Sequence, residues 1–224
     1  VNALELTGRA RTHIVESQDP SYLLHLHVTT AFLALRRAAA AEGMDLAAAS
    51  SFRDFHRQLT IWNGKFEGTR PMNDADGRPI AAAALTPAER VETILLWSAL
   101  PGASRHHWGT DIDLIDRNAI APDYQVRLTR QEFAAGGPFA ALAVWLENNA
   151  ARYGFFRPYR GERCGVQPEP WHYSFAPVAE NARRELTIQI LRAALEAAPL
   201  AGKELVLERL DELHQRFVAR IDPP

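Results

Sequence analysis

The stretch Pro101-Gly102-Ala103-Ser104-Arg105-His106-His107-Trp108-Gly109-Thr110-Asp111-Ile112-Asp113-Leu114 sets two imidazoles and two carboxylates within eight residues. Neutral imidazole and carboxylate both ligate zinc, and a catalytic zinc site takes three protein ligands and keeps a fourth position open. Gly109 lets the backbone turn tightly between loop and strand. The alternation after it predicts that strand over 111–115, with Asp111 and Asp113 on one face and Ile112 and Leu114 on the other. His106 and one aspartate would supply two ligands, and alternation cannot say which aspartate. His107 and Asp111 also have a plain reading, as solvated or hydrogen-bonding neighbours of the ligands.

Two further islands complement this one. Glu169-Pro170-Trp171-His172 offers a third ligand in His172 and a base in Glu169, which Pro170 restricts to an extended conformation. Ser51-Phe52-Arg53, with Gln58 beyond it, adds a cation at the end of a short strand expected over 46–52. A lone strand histidine is usually a hydrogen-bonded core residue. Three islands that together give a ligand pair, a ligand plus base, and a cation point to a hydrolytic metal site instead.

These residues resemble the zinc D-alanyl-D-alanine carboxypeptidases of the VanY type, within the broader group of peptidoglycan metallopeptidases that shares a fold with the hedgehog signalling domain. The pattern SxHxxGxxxD is met by Ser104, His106, Gly109 and Asp113, the pattern ExWH by Glu169, Trp171 and His172, and SxRxxxxQ by Ser51, Arg53 and Gln58. The resemblance runs over about 46–175. It implies that His106, Asp113 and His172 bind Zn2+, which breaks the tie between the aspartates. It further implies that Glu169 is the catalytic base, that Arg53 stabilises the carbonyl or oxyanion, and that Gln58, Ser104, Ser51 and Trp171 lie on the substrate side. Gln58 and Ser104 are the expected partners of a terminal carboxylate. Arg105 stands where many relatives have Glu, and Asp111 where a small residue is usual.

The rest of the chain reads as α+β, a small antiparallel sheet carrying the zinc site with helices packed outside it. Asp19-Pro20 resembles an N-cap followed by Pro at the first helical position, so a helix is expected from there through Leu24, Val28, Phe32 and Leu35 toward Gly43. Phe55, Leu59, Trp62 and Phe66 recur at helical spacing. The polar, Gly- and Pro-rich stretch 67–85 reads as a long surface loop overhanging a cleft. Thr86-Pro87-Ala88-Glu89 is a capping box, and another helix is expected over 138–152. Strands are expected near 154–156 and 171–175. These elements form a peptidase domain, 1–176. The tail, 177–224, is expected to form two helices, 178–197 and 202–219, packed on that domain as a hairpin.

With 224 residues, 47% of them hydrophobic and 23% charged, the chain is long enough for a substantial core and too apolar for wholesale disorder. No apolar run approaches the roughly 18 to 20 residues of a membrane-spanning helix. Twenty-five basic against 27 acidic side chains give a net charge of -2, which removes the basic field expected of a nucleic-acid partner and argues against a nuclease built on the histidine pair. The single cysteine, Cys164, has no companion for a disulfide or a thiolate zinc cluster. The expected activity is hydrolysis of the bond to a C-terminal D-amino acid in peptidoglycan stem peptides, D,D or L,D, in the periplasm or cell envelope, with the cytoplasm as the alternative location. The alternatives are an endopeptidase and a non-catalytic zinc-stabilised wall-binding module.

Overall fold

The structure is a computed structural model that describes residues 2–161 and 165–224, so Cys164 lies outside the described residues. A short helix α1 (Ala3–Leu6) precedes a hairpin of β1 (Ile14–Gln18) and β2 (Ser21–His25), and α2 (Thr29–Ala41) leads to β3 (Leu46–Ser50). Helix α3 (Phe55–Phe66), the small hairpin β4 (Met72–Asn73) and β5 (Pro79–Ile80), and α4 (Pro87–Leu95) come next. Strand β6 (Asp111–Asp116) is followed by α5 (Arg130–Phe133), α6 (Ala140–Asn149), β7 (Phe155–Phe156) and β8 (His172–Phe175). The chain ends in α7 (Ala176–Glu185), α8 (Ile188–Glu196), α9 (Lys203–Glu208), α10 (Leu210–His214) and a π turn over Gln215–Ala219.

The architecture is the mixed one expected, with a four-stranded antiparallel sheet in the order β3-β6-β8-β7. Strand β6 lies between β3 and β8 and is buried along its whole length. Ile112 and Leu114 pack with Phe32 and Leu35 of α2 and Leu142 and Leu146 of α6. A second core joins Phe55, Leu59 and Trp62 of α3 and Val91, Ile94 and Leu95 of α4 to Leu191, Leu195, Val206, Leu210 and Phe217 from the C-terminal helices. Burying a Leu or Phe side chain is worth about 1.5–3 kcal/mol, so the tail contributes substantially to this core.

Three expectations change. Asp19-Pro20 does not start a helix but forms the turn between β1 and β2, and α2 begins at Thr29. Tyr22 and Leu24 are buried at a period of two, and Leu24 also lies four residues before Val28, so one apolar position satisfied both patterns. The strand wins because β2 is tied at both edges: Phe52 N donates to Leu23 O and His25 N to Gly109 O, besides the pairing with β1. The stretch 67–85 is not plain loop, since it holds β4 and β5 and is pinned where Trp97 Nε1 donates to Asp74 O at 2.9 Å. The tail is four short helices, not two. Thr187 opens α8 by accepting from Ile190 N, and the chain turns again at Arg209.

Gly109 carries the constraint that ties this framework to the loop bearing His106. It has φ +65°, and a Cβ there would clash with Ile14 Cδ1 and meet the backbone nitrogen of His25 at 2.7 Å. Gly109→Ala therefore combines a left-handed backbone with a clash against the β2 backbone. It is expected to lower unfolding stability by about 3 kcal/mol in a denaturant titration. A loss below about 1 kcal/mol would show that this contact does not fix the loop.

Candidate metal centre and its cleft

Register decides which residues meet. In the β6/β8 ladder Asp113 is directly opposite His172, and Asp111 is opposite Ser174. His106 enters from a single 3-10 turn, Arg105–Trp108, which the left-handed Gly109 ends just before β6. Asp113 Oδ2 lies 3.5 Å from His106 Nε2, and Asp113 Oδ1 lies 3.4 Å from His172 Nδ1. Two ligands bonded at about 2.0–2.1 Å with tetrahedral angles are about 3.3–3.4 Å apart, so these separations suit a shared zinc-sized ion. Asp113 Oδ1 is buried without a hydrogen-bond partner, which leaves an acceptor aimed at the same point. Among the described residues, His106, Asp113 and His172 form the group able to hold a metal.

The outer nitrogen of each histidine is engaged, which fixes the ring. His106 Nδ1 is 2.8 Å from Ser51 O, and His172 Nε2 is 2.9 Å from Asp111 Oδ1. A metal-ligating imidazole that donates its other N–H in this way is held in the right tautomer and orientation. Asp111 is completely buried and is also bound by Arg105 Nε at 2.8 Å and by the hydroxyls of Thr110 and Ser174. The two departures from the VanY-type pattern, Arg105 and Asp111, are thus each other's partners.

Burial pushes the carboxyls of Asp111 and Asp113 up, but the charges and hydrogen bonds around them win and hold both well below the usual carboxylate range. These are Arg105 and His172 for Asp111, and His106 and His172 for Asp113. Burial alone would lower His172. Its contacts with Asp111, Asp113 and Glu169 raise it well above the ordinary histidine value in the metal-free protein.

The site opens into a cleft of about 310 Å³ lined by Arg53, Ser104, Glu169 and Trp171 among others. Glu169 Oε2 is 3.1 Å from His172 Nδ1, and the backbone N–H of Glu169 donates to Tyr159 O, which anchors the carboxylate at the rim of the metal cluster. Trp171 is a wall, its ring tilted against Phe133 with centroids 5.6 Å apart. Two residues expected on the substrate side have other tasks. Gln58 is fully buried away from the cleft lining, where Oε1 accepts from Arg53 Nη1 at 2.9 Å and Nε2 donates to Ala99 O. It braces Arg53, and each end of its amide already has a protein partner. Ser51 is likewise occupied, its hydroxyl accepting from Leu23 N and its carbonyl holding His106. Lys65, Asn73, Ser98 and Arg127 also line the cleft, and none of them belongs to the three sequence islands. Lys65 had a signal available, since it continues the Gln58 and Ile61 face of α3.

Residues 21–178 match the family VanY, D-alanyl-D-alanine carboxypeptidase. The chain belongs to this family. Among curated relatives, a protein of Haemophilus influenzae is 29% identical over 121 residues, covering 53% of this chain and 92% of that one. A D-alanyl-D-alanine carboxypeptidase of Enterococcus faecalis is 28% identical over 144 residues, 63% of this chain and 44% of that protein. The fold is similar to that of VanYB in complex with D-alanine-D-alanine, with TM-score 0.55, 21% identity, and 86% and 87% of the two chains covered. It is also similar to a zinc-bound VanY D,D-pentapeptidase from a VanB-type resistance cassette, with TM-score 0.54, 21% identity, and 88% and 92% covered. The VanY match extends from β2 to the start of α7, so helices α8 to α10 lie beyond it.

His107 adjoins His106 but is braced within the fold. Its Nδ1 donates to Arg53 O at 2.6 Å and its Nε2 accepts from Gly102 N at 3.1 Å, an arrangement that requires the neutral ring. Burial pushes it down to about 3. An unfolded histidine titrates near about 6.5, so the stability due to the neutral ring is full above that pH and falls as pH drops toward the folded value. Between pH 7 and pH 5 the zinc-free protein should lose about 2 kcal/mol from this residue. Denaturant unfolding at the two pH values checks it, with a correspondingly smaller loss expected in His107→Asn. An equal loss in both proteins would contradict the assignment.

Proposed function

We propose that the protein is a zinc carboxypeptidase that hydrolyses the bond to a C-terminal D-amino acid in a peptidoglycan stem peptide. The observation that carries this reading is the convergence on one cleft of the His106, Asp113 and His172 cluster, the Glu169 carboxylate and the Arg53 guanidinium. Membership of the VanY family supports the cell-wall substrate class.

Bound zinc would supply Lewis acidity at this cluster, acidifying water and polarising a carbonyl. The chain's own groups do the rest. Glu169 accepts the proton of the attacking water and returns it to the departing amine, as a carboxylate at hydrogen-bonding range of the cluster can. Arg53 holds the oxygen that becomes negative. Its planar fork is fixed before the substrate arrives, since Gln58 takes Nη1 and Ser50 Oγ accepts from Nη2 at 3.3 Å. Ser104 and Trp171 line the peptide's path. A wall-binding module that keeps zinc for stability alone has no use for an acid–base group and a cation at the metal cluster, and their presence disfavours that alternative.

Glu169→Gln keeps size and hydrogen-bonding capacity but cannot take up a proton. With one zinc per chain and an unchanged melting temperature in both proteins, the variant is expected to lose about a hundred- to ten-thousand-fold in kcat on defined muropeptides. Zinc content, melting temperature and product mass are measured on the same preparations. More than a tenth of wild-type activity with zinc bound would remove Glu169 as the base, and a wild-type protein that binds zinc but turns over no muropeptide would favour the binding module.

A further inference from the structure

Burial of Gln58 leaves the proposed substrate's terminal carboxylate without one of its two expected partners. A cation on the same helix face is placed to replace it. Gln58, Ile61 and Lys65 are spaced by three and four residues, so they share one face of α3. Gln58 is at the base of that face, under Arg53, while Ile61 and Lys65 line the cleft itself. Side chains on a helix lean toward its N-terminus, and here that direction carries the Lys65 ammonium back toward the Arg53 end.

The ammonium is not satisfied by the protein. Lys65 Nζ donates to Ser98 Oγ at 2.7 Å, and among the described residues no carboxylate makes an ion pair with it. Its surroundings are demanding for a charge. Burial lowers its pKa to about 8, Glu169 opposes that shift, and Arg53 and Arg70 add to it, so Lys65 is within electrostatic reach of both reaction-centre groups. A half-buried cation with spare N–H donors gains from a charged acceptor that enters with the ligand and displaces water from around it. Arg127, another basic residue on the cleft lining, is exposed at the rim, where solvent and salt weaken its hold on an anion.

We propose that Lys65, held by Ser98, binds the free C-terminal carboxylate of the substrate and so makes the enzyme select chain ends. This inference rests on the carboxypeptidase reading and gives that reading its specificity residue. Ile61, Leu95 and Leu100 beside Lys65 form an apolar wall suited to the small side chain of the terminal residue. The same arrangement gives a reason for exopeptidase action: an internal peptide brings no carboxylate to this position and leaves the half-buried ammonium without an anionic partner.

The test uses zinc-loaded full-length protein and three versions of one stem peptide: the free acid, its C-terminal amide, and a peptide with the inner side-chain carboxylate amidated and the terminus free. Wild type should favour the free acid over the C-terminal amide by a hundredfold or more in kcat/KM, on the order expected when a polar pocket loses the group it was built to bind. Lys65→Met, which keeps the aliphatic stem and removes the charge, should collapse that ratio to below about tenfold by penalising the free acid, with zinc content and melting temperature unchanged. Lys65→Arg should recover part of the ratio. Binding of the free dipeptide D-alanyl-D-alanine to the Glu169→Gln protein, measured by calorimetry, should weaken at least tenfold when Lys65→Met is added.

Three results would overturn the inference while leaving the peptidase reading intact: a wild-type acid-to-amide ratio retained in Lys65→Met, a ratio that collapses instead in Arg127→Ala, or a Lys65→Met penalty that disappears when the inner carboxylate is amidated. Equal wild-type rates on acid and C-terminal amide would overturn it together with exopeptidase action. No turnover of any of the three peptides by wild type would instead be a failure of the underlying function.

Discussion

The hydrogen bond between Asp111 Oδ1 and His172 Nε2, buried in the middle of the sheet, is the constraint on which the site depends. It turns His172 so that Nδ1, not Nε2, faces Asp113 and Glu169, and it does so from a carboxylate with no exposure to water. A buried carboxylate is costly unless its charge and lone pairs are met. Here Arg105 meets the charge, and Thr110 and Ser174 fill the remaining acceptor sites. Arg105 is steadied in turn over the Trp108 ring at 4.9 Å. Removing any one of these groups would leave another buried and unpaired, so the metal geometry and the stability of the sheet centre are the same problem.

The sequence disclosed this site only as far as each kind of signal can encode it. His106, Asp113, His172 and Glu169 were legible because ligand chemistry and spacing are written in residue types. The choice between Asp111 and Asp113 was not written in alternation, since both point to one face. Cross-strand register separates them, placing Asp113 opposite His172 and Asp111 opposite Ser174, and the β6/β8 pairing spans 61 residues of chain between Asp111 and His172. The tasks of Gln58 and Ser51 were hidden for a related reason: a polar residue near a site can face the ligand or brace a residue that does, and only the packed α3 and β2 show that these two brace. Asp19-Pro20 misled because its helix-start chemistry equally suits a turn, and the partners that decide for β2, Phe52 and Gly109, are distant in sequence. The breaks at Thr187 and Arg209 are local cap and turn effects inside an apolar periodicity that continues across them.

The cleft is assembled from parts with unequal ties to the VanY match. Its His106, Asp113 and His172 cluster comes from the 3-10 turn, β6 and β8, all within residues 21–178. One wall includes Phe217 and Val218, from the π turn beyond that match. The final segment is secured by Gly165 N donating to Arg216 O, and by Asp222, whose N–H donates to Pro158 O and whose carboxylate accepts from Arg160 N. These bonds grip the chain that leads into Glu169. The C-terminal helices thus complete a core and also help line the cleft, while Asp113 and His172 sit on the sheet.

The central claim is that Asp111 presents the Nδ1 edge of His172 to a zinc ion shared with His106 Nε2 and Asp113. Crystals of the zinc-loaded protein measured at the zinc absorption edge test it most directly. The account predicts one anomalous peak per chain, bonded at about 2.0–2.2 Å to His106 Nε2, an Asp113 oxygen and His172 Nδ1, with Asp111 still on His172 Nε2. A zinc bonded through His172 Nε2, or held by Asp111 or His107, would contradict it.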